Sequence, residues 1–448
     1  MISIPVHVWL PGCADPASAG VLEVDDRSVS FTYGADYLTA GGPSIVGELP
    51  ARRARHRQSS NLLFPIMQDA GPDSWGEMLL EKRLQHQPTQ LELLTLCRAD
   101  GAGNLVLGAL TPDRFETIEI ETFIGILNQF EDLAQTDEAY VRLRAIIKEA
   151  IDQGTGLGGA KPKLELSDGG MRYIAKFPDI HDDPYLPHVE SAMLKLASQC
   201  GIQVAVAEVK EVGDHRHPYC LVSRRFDREQ LASGVIGRIG YASAHCVNRV
   251  EEAMRQYSAN ELTEFTLKGY SSVQLAKSYP RFAENMRRWC IDREAWESDV
   301  RELWRRIVFN ALVRNTDDHT KNHGLLCRDM ATQHWRLSPA FDIVCGISDL
   351  ASPALCMPYL YQRAVRHGRN PQAARLVAKA NRQDLIKAAV LHYGYEQDEA
   401  TEVFESMRQI VRSGWREQMI TEGMPDSAIS RYERNLDRDI AKTWEESD

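Results

Sequence analysis

The chain lacks any CxxC pair, and its nine cysteines (Cys13, Cys97, Cys200, Cys220, Cys246, Cys290, Cys327, Cys345 and Cys356) follow no regular spacing. That argues against a disulfide framework and against a zinc ribbon. No uncharged apolar run approaches the ~20 residues that a bilayer-spanning helix requires, and there is no internal repeat or low-complexity tract. The first residues, MISIPVHVWLPGC, have no basic n-region and alternate like a strand, so a signal peptide is not expected there. Cytoplasm is the expected location, without membrane attachment. Positive charge is in deficit too: 52 Lys and Arg against 63 Asp and Glu leave a net charge of -11. Such a molecule repels a phosphate backbone unless positive charge is concentrated in one place, so nucleic acid is not the default partner. The one dense basic run, ARRARHRQ (Ala51 to Gln58), carries four arginines and reads as a solvated loop with no assigned function.

What is present suits a folded enzyme. At 448 residues the chain exceeds the size at which one core stops growing, so two or three packed lobes are expected. Hydrophobic residues at 43% and charged residues at 26% rule out a mainly disordered or fibrous protein.

Residues 1 to about 110 read as short strands, VHVWL, VLEVD and SVSFTY, followed by a helical segment, SWGEMLLEKRL. Ile118 to Ile151 has helical periodicity and runs into a glycine cluster, Gly154 to Gly159. From Lys163 the pattern is strand, turn, strand: KLEL, SDGG, MRYIAKF, where Asp-Gly-Gly supplies the positive φ angles of a tight hairpin. A helix over Pro187 to Gln199 follows, then strands IQVAVAEV and YCLVSRRF. Beyond Ser243 the chain turns strongly helical. The expectation is an α+β fold of two lobes with a cleft at their junction, divided as 1–112 (N-terminal α+β subdomain), 113–235 (sheet-rich N-lobe) and 236–448 (mainly helical C-lobe).

Glu302 to Asn322, ELWRRIVFNALVRNTDDHTKN, carries most of the chemistry. Leu303, Ile307, Ala311 and Leu312 recur at helical spacing, so a buried helix leads into a polar loop. Strands HGLLC and HWRLS follow, ending at Pro339-Ala340-Phe341-Asp342. Phosphoryl transfer from ATP needs a carboxylate to orient the attacking hydroxyl, and hard oxygen ligands for magnesium. Asp317 and Asn322 stand at the interval D-x-x-x-x-N, and Asp342, beside an aromatic, takes the place of a second magnesium-binding aspartate.

The upstream half supplies the complementary parts. Gly154, Gly156, Gly158 and Gly159 precede Ala160 and Lys161-Pro162-Lys163, and a loop with few Cβ atoms lets backbone N–H groups approach phosphate oxygens. Alternation in YIAKF puts Lys176 on one face with Ile174, where the buried ammonium needs a partner. Glu190, on the face shared with Leu194 and Ala197, is the candidate. Backbone groups near Arg224 to Phe226 suit an adenine, and Asp227 suits a ribose. His319 and His323, with Asp317 and Asp318, also allow a zinc or manganese hydrolase. The favoured reading has His319 fixing the loop by hydrogen bonds near the nucleotide, with Asp318 and Lys321 facing outward.

Taken together, these segments resemble the HipA family of bacterial serine/threonine kinases, the toxin members of toxin–antitoxin pairs. NTDDHTKNHGLL and RLSPAFDIV are similar to that family's catalytic loop and metal-binding motif, GLGGAKPK to its phosphate loop, YIAKFP to its ATP-lysine strand and RRFDR to its hinge. FTYGADYL, GELP and AGPDSWGEMLL resemble its N-terminal region, so the likeness spans most of the chain. It implies an α+β, two-lobed protein-kinase-like fold, with Asp317 as catalytic aspartate, Asn322 and Asp342 on Mg2+, Lys176 on the ATP phosphates, Phe226 and its neighbours at adenine, and Asp227 at ribose. It further implies a protein substrate such as an aminoacyl-tRNA synthetase, and a small helix-turn-helix antitoxin through which DNA is met indirectly. One position departs from the family: where some relatives carry an autophosphorylated serine, this chain has Gly156, with Thr155 beside it. Two other functions stay open, a small-molecule phosphotransferase and an ATP-occupied module that tethers an antitoxin–DNA complex.

Overall fold

The computed structural model describes residues 1–25, 27–58, 62–72, 77, 80–81, 84–97, 101–111, 117–121, 163–178, 182–212, 218–260, 267–347, 353–362, 366–367, 370–371 and 375–438. They divide into two compact units. One comprises Met1–Pro187, Val206–Ala242 and Leu326–Trp335; the other comprises His188–Ala205, Ser243–Leu325 and Arg336–Asp448. The first is rich in strand and the second mainly helical, which is the α+β, two-lobed outline expected from the sequence.

The first unit opens with strands β1 (Ile2–Val8), β2 (Ala17–Val24), β3 (Val29–Tyr33), β4 (Arg55–Arg57) and β5 (Leu105–Leu107), which form an antiparallel sheet in the order β4-β3-β2-β1-β5. Alternation decides the faces: Ile4, Val6 and Val8 point into the core while their neighbours do not. The basic run, expected as a loop, is instead partly the edge strand β4. His56 pairs opposite Phe31 and packs against Phe31 and Tyr33, which pulls the run into the sheet, while Arg52, Arg53, Arg55 and Arg57 stay exposed. A short, charged edge of this kind discourages pairing with another chain.

A second sheet contains β6 (Ile118–Glu119), β7 (Lys163–Asp168), β8 (Met171–Lys176), β9 (Ala207–Glu211) and β10 (Tyr219–Arg224), in the order β6-β7-β8-β10-β9. The β7–β8 hairpin turns at Gly169 and Gly170, with φ of 53° and 84°, as the Asp-Gly-Gly sequence requires. Leu164, Leu166, Ala175, Phe177, Cys220 and Val222 pack on one face. Two expectations need correction. Ile118 and Glu119 form a strand parallel to β7 instead of starting a helix, because Ile118 pairs with Leu166 of the core; residues 122–151 lie outside the described residues. IQVAVAEV becomes a strand only from Ala207, since Val204 is drawn into a bridge with Ala340. The segment SWGEMLLEKRL falls largely outside the described residues. A hairpin of β11 (Arg228–Gln230) and β12 (Ile236–Arg238) follows.

Strands β13 (Gly240–Ser243), β14 (Gly324–Asp329) and β15 (His334–Leu337) make a three-stranded sheet in that order. The second unit is organised around the helix Arg293–Leu312. Asp292 caps its start by accepting the N–H groups of Glu294 and Ala295, and Leu303, Trp304, Ile307, Val308, Phe309, Ala311 and Leu312 are buried. The Trp304 indole donates to the Leu385 carbonyl at 3.0 Å, tying this helix to the helix Arg382–His392. All nine cysteines are free, and among the described residues no helix is long and apolar enough to cross a membrane.

Candidate functional site

The Arg293–Leu312 helix ends where Val313 donates back to Phe309 and Arg314 enters the left-handed region at φ 57°. A left-handed residue just past the cap is a common helix stop. The chain then turns into the polar loop Asn315–Asn322. Its first residue is held by the Asn310 carbonyl, which accepts from the Asn315 N–H at 2.8 Å.

Within the loop, Asp317 and Asn322 are arranged for different tasks. The Asp317 carboxylate is exposed and makes no hydrogen bond or ion pair among the described residues, while its main-chain carbonyl accepts from the His319 N–H (2.8 Å) and from Asn322 Nδ2 (3.0 Å). Asn322 is 7% exposed. Nδ2 is thereby committed to the loop, and Oδ1 makes no hydrogen bond among the described residues.

Asp342 lies on the segment leaving β15, half-buried and at φ 59°. This left-handed conformation is sparsely populated by L-residues and, where it persists, points to a functional constraint. The segment is pinned to the same loop at both ends. Ser338 N–H donates to Gly324 (2.9 Å), two residues past Asn322, and Gly346 N–H donates to Arg314 (3.2 Å), three residues before Asp317. In between, Ala340 exchanges bonds with Gln203 (2.7 Å) and Ala205 (2.8 Å). Arg306 adds a further tie by donating to the Ser338 carbonyl at 2.7 Å. Gly346 admits no side chain, because a Cβ there would stand 2.2 Å from the Arg314 carbonyl oxygen. The three residues read as catalytic or metal-binding thus sit on two segments fastened together.

Asp318 corrects an expectation. It is 1% exposed instead of outward-facing, because three donors, two of them remote in sequence, hold it inside. The Tyr279 hydroxyl donates to Oδ2 in a short hydrogen bond, Asn310 Nδ2 lies 3.4 Å from the same oxygen, and the Cys356 N–H donates to Oδ1 at 3.1 Å. Burial pushes the carboxyl up to about 7 against these hydrogen bonds. On the other side of Tyr279 its hydroxyl meets His323 Nε2 at 2.9 Å. Burial, with Arg306 and His319 nearby, lowers the imidazole to about 3, so His323 is neutral. Lys321 is exposed. His319 fixes the loop through its main chain, its carbonyl accepting from the Asn322 N–H at 2.9 Å, while its ring Nδ1 has no hydrogen-bond partner. Among the described residues no three His, Cys, Asp or Glu are grouped to hold a metal.

In the first unit, Lys176 stands directly across from Lys163 on β7 and from Leu221 on β10, on the face opposite the Leu164–Ala175–Val222 core. Arg224 is exposed, and the half-buried Phe226 packs near Tyr241, with ring centroids 6.1 Å apart. Asp227, the residue expected at a ribose, is engaged within the protein. It is 5% exposed and accepts from Arg225 (2.9 and 2.7 Å), Arg228 (2.8 Å) and the Gly103 N–H (2.8 Å). These bonds take up the acceptor capacity of the carboxylate. Burial alone would raise its pKa, but the two guanidiniums hold it well below the usual carboxylate range. The alternating charges of RRFDR were the available sign of this cluster. Glu190 is buried in the second unit. Gly156, Gly158, Gly159 and Ala160, with Thr155, lie outside the described residues.

Comparison with known proteins gives a consistent picture. A family model described as the HipA-like C-terminal domain matches residues 155–415, and one described as the HipA N-terminal domain matches residues 7–108. Among solved structures, HipA of the Shewanella oneidensis MR-1 toxin–antitoxin system, in complex with HipB and its operator DNA, is similar in fold. The TM-score is 0.65 at 16% identity, covering 98% of this chain and 97% of that one. The Helicobacter pylori proinflammatory kinase CtkA matches at a TM-score of 0.38 and 14% identity, over 64% of this chain and 91% of that one, which is too slight to bear on the site. No curated protein matches the chain.

Proposed function

The chain belongs to the HipA family, and from that premise we propose that it is an ATP-dependent kinase that phosphorylates a serine or threonine hydroxyl of a protein. The observation that carries this reading is the contrast between neighbours in the loop: the Asp317 carboxylate is unengaged and exposed, while Asn322 is locked so that only its oxygen is free.

In the proposed reaction the substrate hydroxyl oxygen attacks the γ-phosphorus, the bond from that phosphorus to the β–γ bridging oxygen breaks, and the hydroxyl proton passes to Asp317. Asp317 contributes by orienting the hydroxyl and by accepting its proton. Asn322 Oδ1 and the Asp342 carboxylate suit Mg2+, which favours hard oxygen donors and is held by few protein ligands when phosphates complete its shell. Bound there, the ion supplies neutralisation of phosphate charge. Lys163 and Lys176 would face the phosphates, Glu190 would orient Lys176, and the backbone at Gly156, Gly158, Gly159 and Ala160 would cradle the same oxygens. Arg224 and Phe226 would border the adenine. His319, whose Nδ1 lacks a partner, would serve the nucleotide side of the loop. Asp227 would act there only as a frame for Phe226.

The structural neighbour was solved with HipB and operator DNA, which supports a small antitoxin as partner and DNA as an indirect one. On this reading the protein is a growth-inhibiting toxin acting in the cytoplasm, with an aminoacyl-tRNA synthetase as a candidate substrate. The test is incubation of purified protein with γ-labelled ATP, Mg2+ and a cell extract. Label should enter a protein, and Asp317→Ala or Asp342→Ala should abolish the transfer. Label entering only a small metabolite, or ATP binding with no transfer, would overturn the proposal.

A further inference from the structure

Asp317 and Asp318 are consecutive, yet one projects to solvent and the other is sealed inside. Asp318 joins three segments distant in sequence: the start of the helix Tyr279–Trp289, the last turns of the helix Arg293–Leu312 through Asn310, and the main chain at Cys356. Tyr279 is itself fixed, since its N–H donates to the Pro358 carbonyl at 2.9 Å and its hydroxyl lies between Asp318 and His323. Both carboxylate oxygens of Asp318 are therefore engaged, and neither has a task facing solvent.

We infer that Asp318 and Tyr279 form a buried anchor that positions Asp317: Asp318 acts through the peptide it shares with Asp317, not on the substrate. The inference rests on the kinase reading for its catalytic consequence, though not for its structural one. A carboxylate held by donors on two sides has its side-chain torsions fixed, and with them the direction of the adjoining peptide and of the Asp317 side chain. Misplacement of a reacting group by about 1 Å can cost about 100-fold in rate.

The hydrogen-bond chemistry also predicts which substitution is tolerated. Asn at position 318 keeps an oxygen for the Cys356 N–H and offers an N–H to the Tyr279 oxygen, whose hydroxyl then donates to His323 Nε2. The chain of bonds is preserved with both polarities reversed, His323 carrying its proton on Nδ1, and only the long 3.4 Å contact from Asn310 Nδ2 is given up. Ala at 318, or Phe at 279, breaks it.

The experiment compares full-length wild type, Asp318→Asn, Asp318→Ala and Tyr279→Phe by phosphoryl-transfer kinetics and by amide hydrogen exchange over Asn315–Asn322. Tyr279→Phe and Asp318→Ala should lower kcat about 10- to 100-fold with the KM for ATP within about twofold, and should speed loop exchange at least about tenfold. Asp318→Asn should stay near wild type in both measurements. Wild-type kcat and unchanged loop exchange in Tyr279→Phe would overturn the anchor, even if Asp318→Ala failed to fold. Faster loop exchange in the variants of a wild type that transfers no phosphate would retain the anchor and remove the kinase reading.

Discussion

Asn322 donates its side-chain Nδ2 to the main-chain carbonyl of Asp317 at 3.0 Å. The amide proposed to face a metal is therefore fastened to the backbone that carries the proposed base, and the bond does not involve the Asp317 carboxylate. Asp317→Asn should leave the loop intact for that reason. We expect kcat for phosphoryl transfer to fall by about 10²- to 10⁴-fold, with ATP affinity by calorimetry unchanged.

Asp342 occupies the left-handed region at φ 59°, where Asp and Asn are tolerated better than residues without a short polar side chain. Asp342→Asn should unfold at a urea midpoint close to wild type while transferring no phosphate. Asp342→Ala should lose activity and, in addition, roughly 1 kcal/mol of stability. Equal stability of the two variants would refute the strain argument.

Asp227 is buried between Arg225 and Arg228, so removing its charge takes away the carboxylate the two guanidiniums share and leaves Glu165 alone to pair with Arg225. Asp227→Asn should destabilise the protein by about 3–5 kcal/mol, measured by denaturant unfolding. Because the folded carboxyl sits below its usual range, its contribution is complete above the unfolded value and declines as pH falls toward the folded one. The deficit of the variant relative to wild type should accordingly shrink in acid.

Asp318 reverses that sign. Burial raises its carboxyl from 3.8 to about 7, so between those values the folded protein holds a proton that the unfolded chain has released. Stability then falls as pH rises from about 4 to about 7. Asp318→Asn cannot ionise and should gain on wild type across that window, with a constant difference above it. A flat difference between pH 4 and 7 in urea titrations would contradict the assignment.

Gly346 has no room for a Cβ against the Arg314 carbonyl. Gly346→Ala should cost about 1–3 kcal/mol, as overpacking does, and should lower transfer by separating the Asp342 segment from the Asp317 loop.

Much of the architecture was legible in the residues alone. Period-two alternation in VHVWL and MRYIAKF marks strands β1 and β8, Asp-Gly-Gly marks the β7–β8 hairpin, and the apolar spacing from Leu303 to Leu312 marks the buried helix before the loop. In each case the signal is local, because regular backbone repeats its own geometry. The spacing of Asp317 and Asn322 likewise defined the candidate chemistry. An irregular loop has no such period, and so it could not reveal that Asp317 faces water while Asp318 is buried. That choice is made by Tyr279 and Cys356, 39 and 38 residues away. The same holds for Asp227, whose neighbours Arg225 and Arg228 are held beside it by Glu165, 60 positions before Arg225, and by the carbonyls of Gly101 and Gly103, more than 120 positions earlier. Sequence determined which chemical groups are present and which regular elements carry them; the tertiary structure decided which carboxylates stay free, because burial and hydrogen-bond partners come from distant parts of the chain.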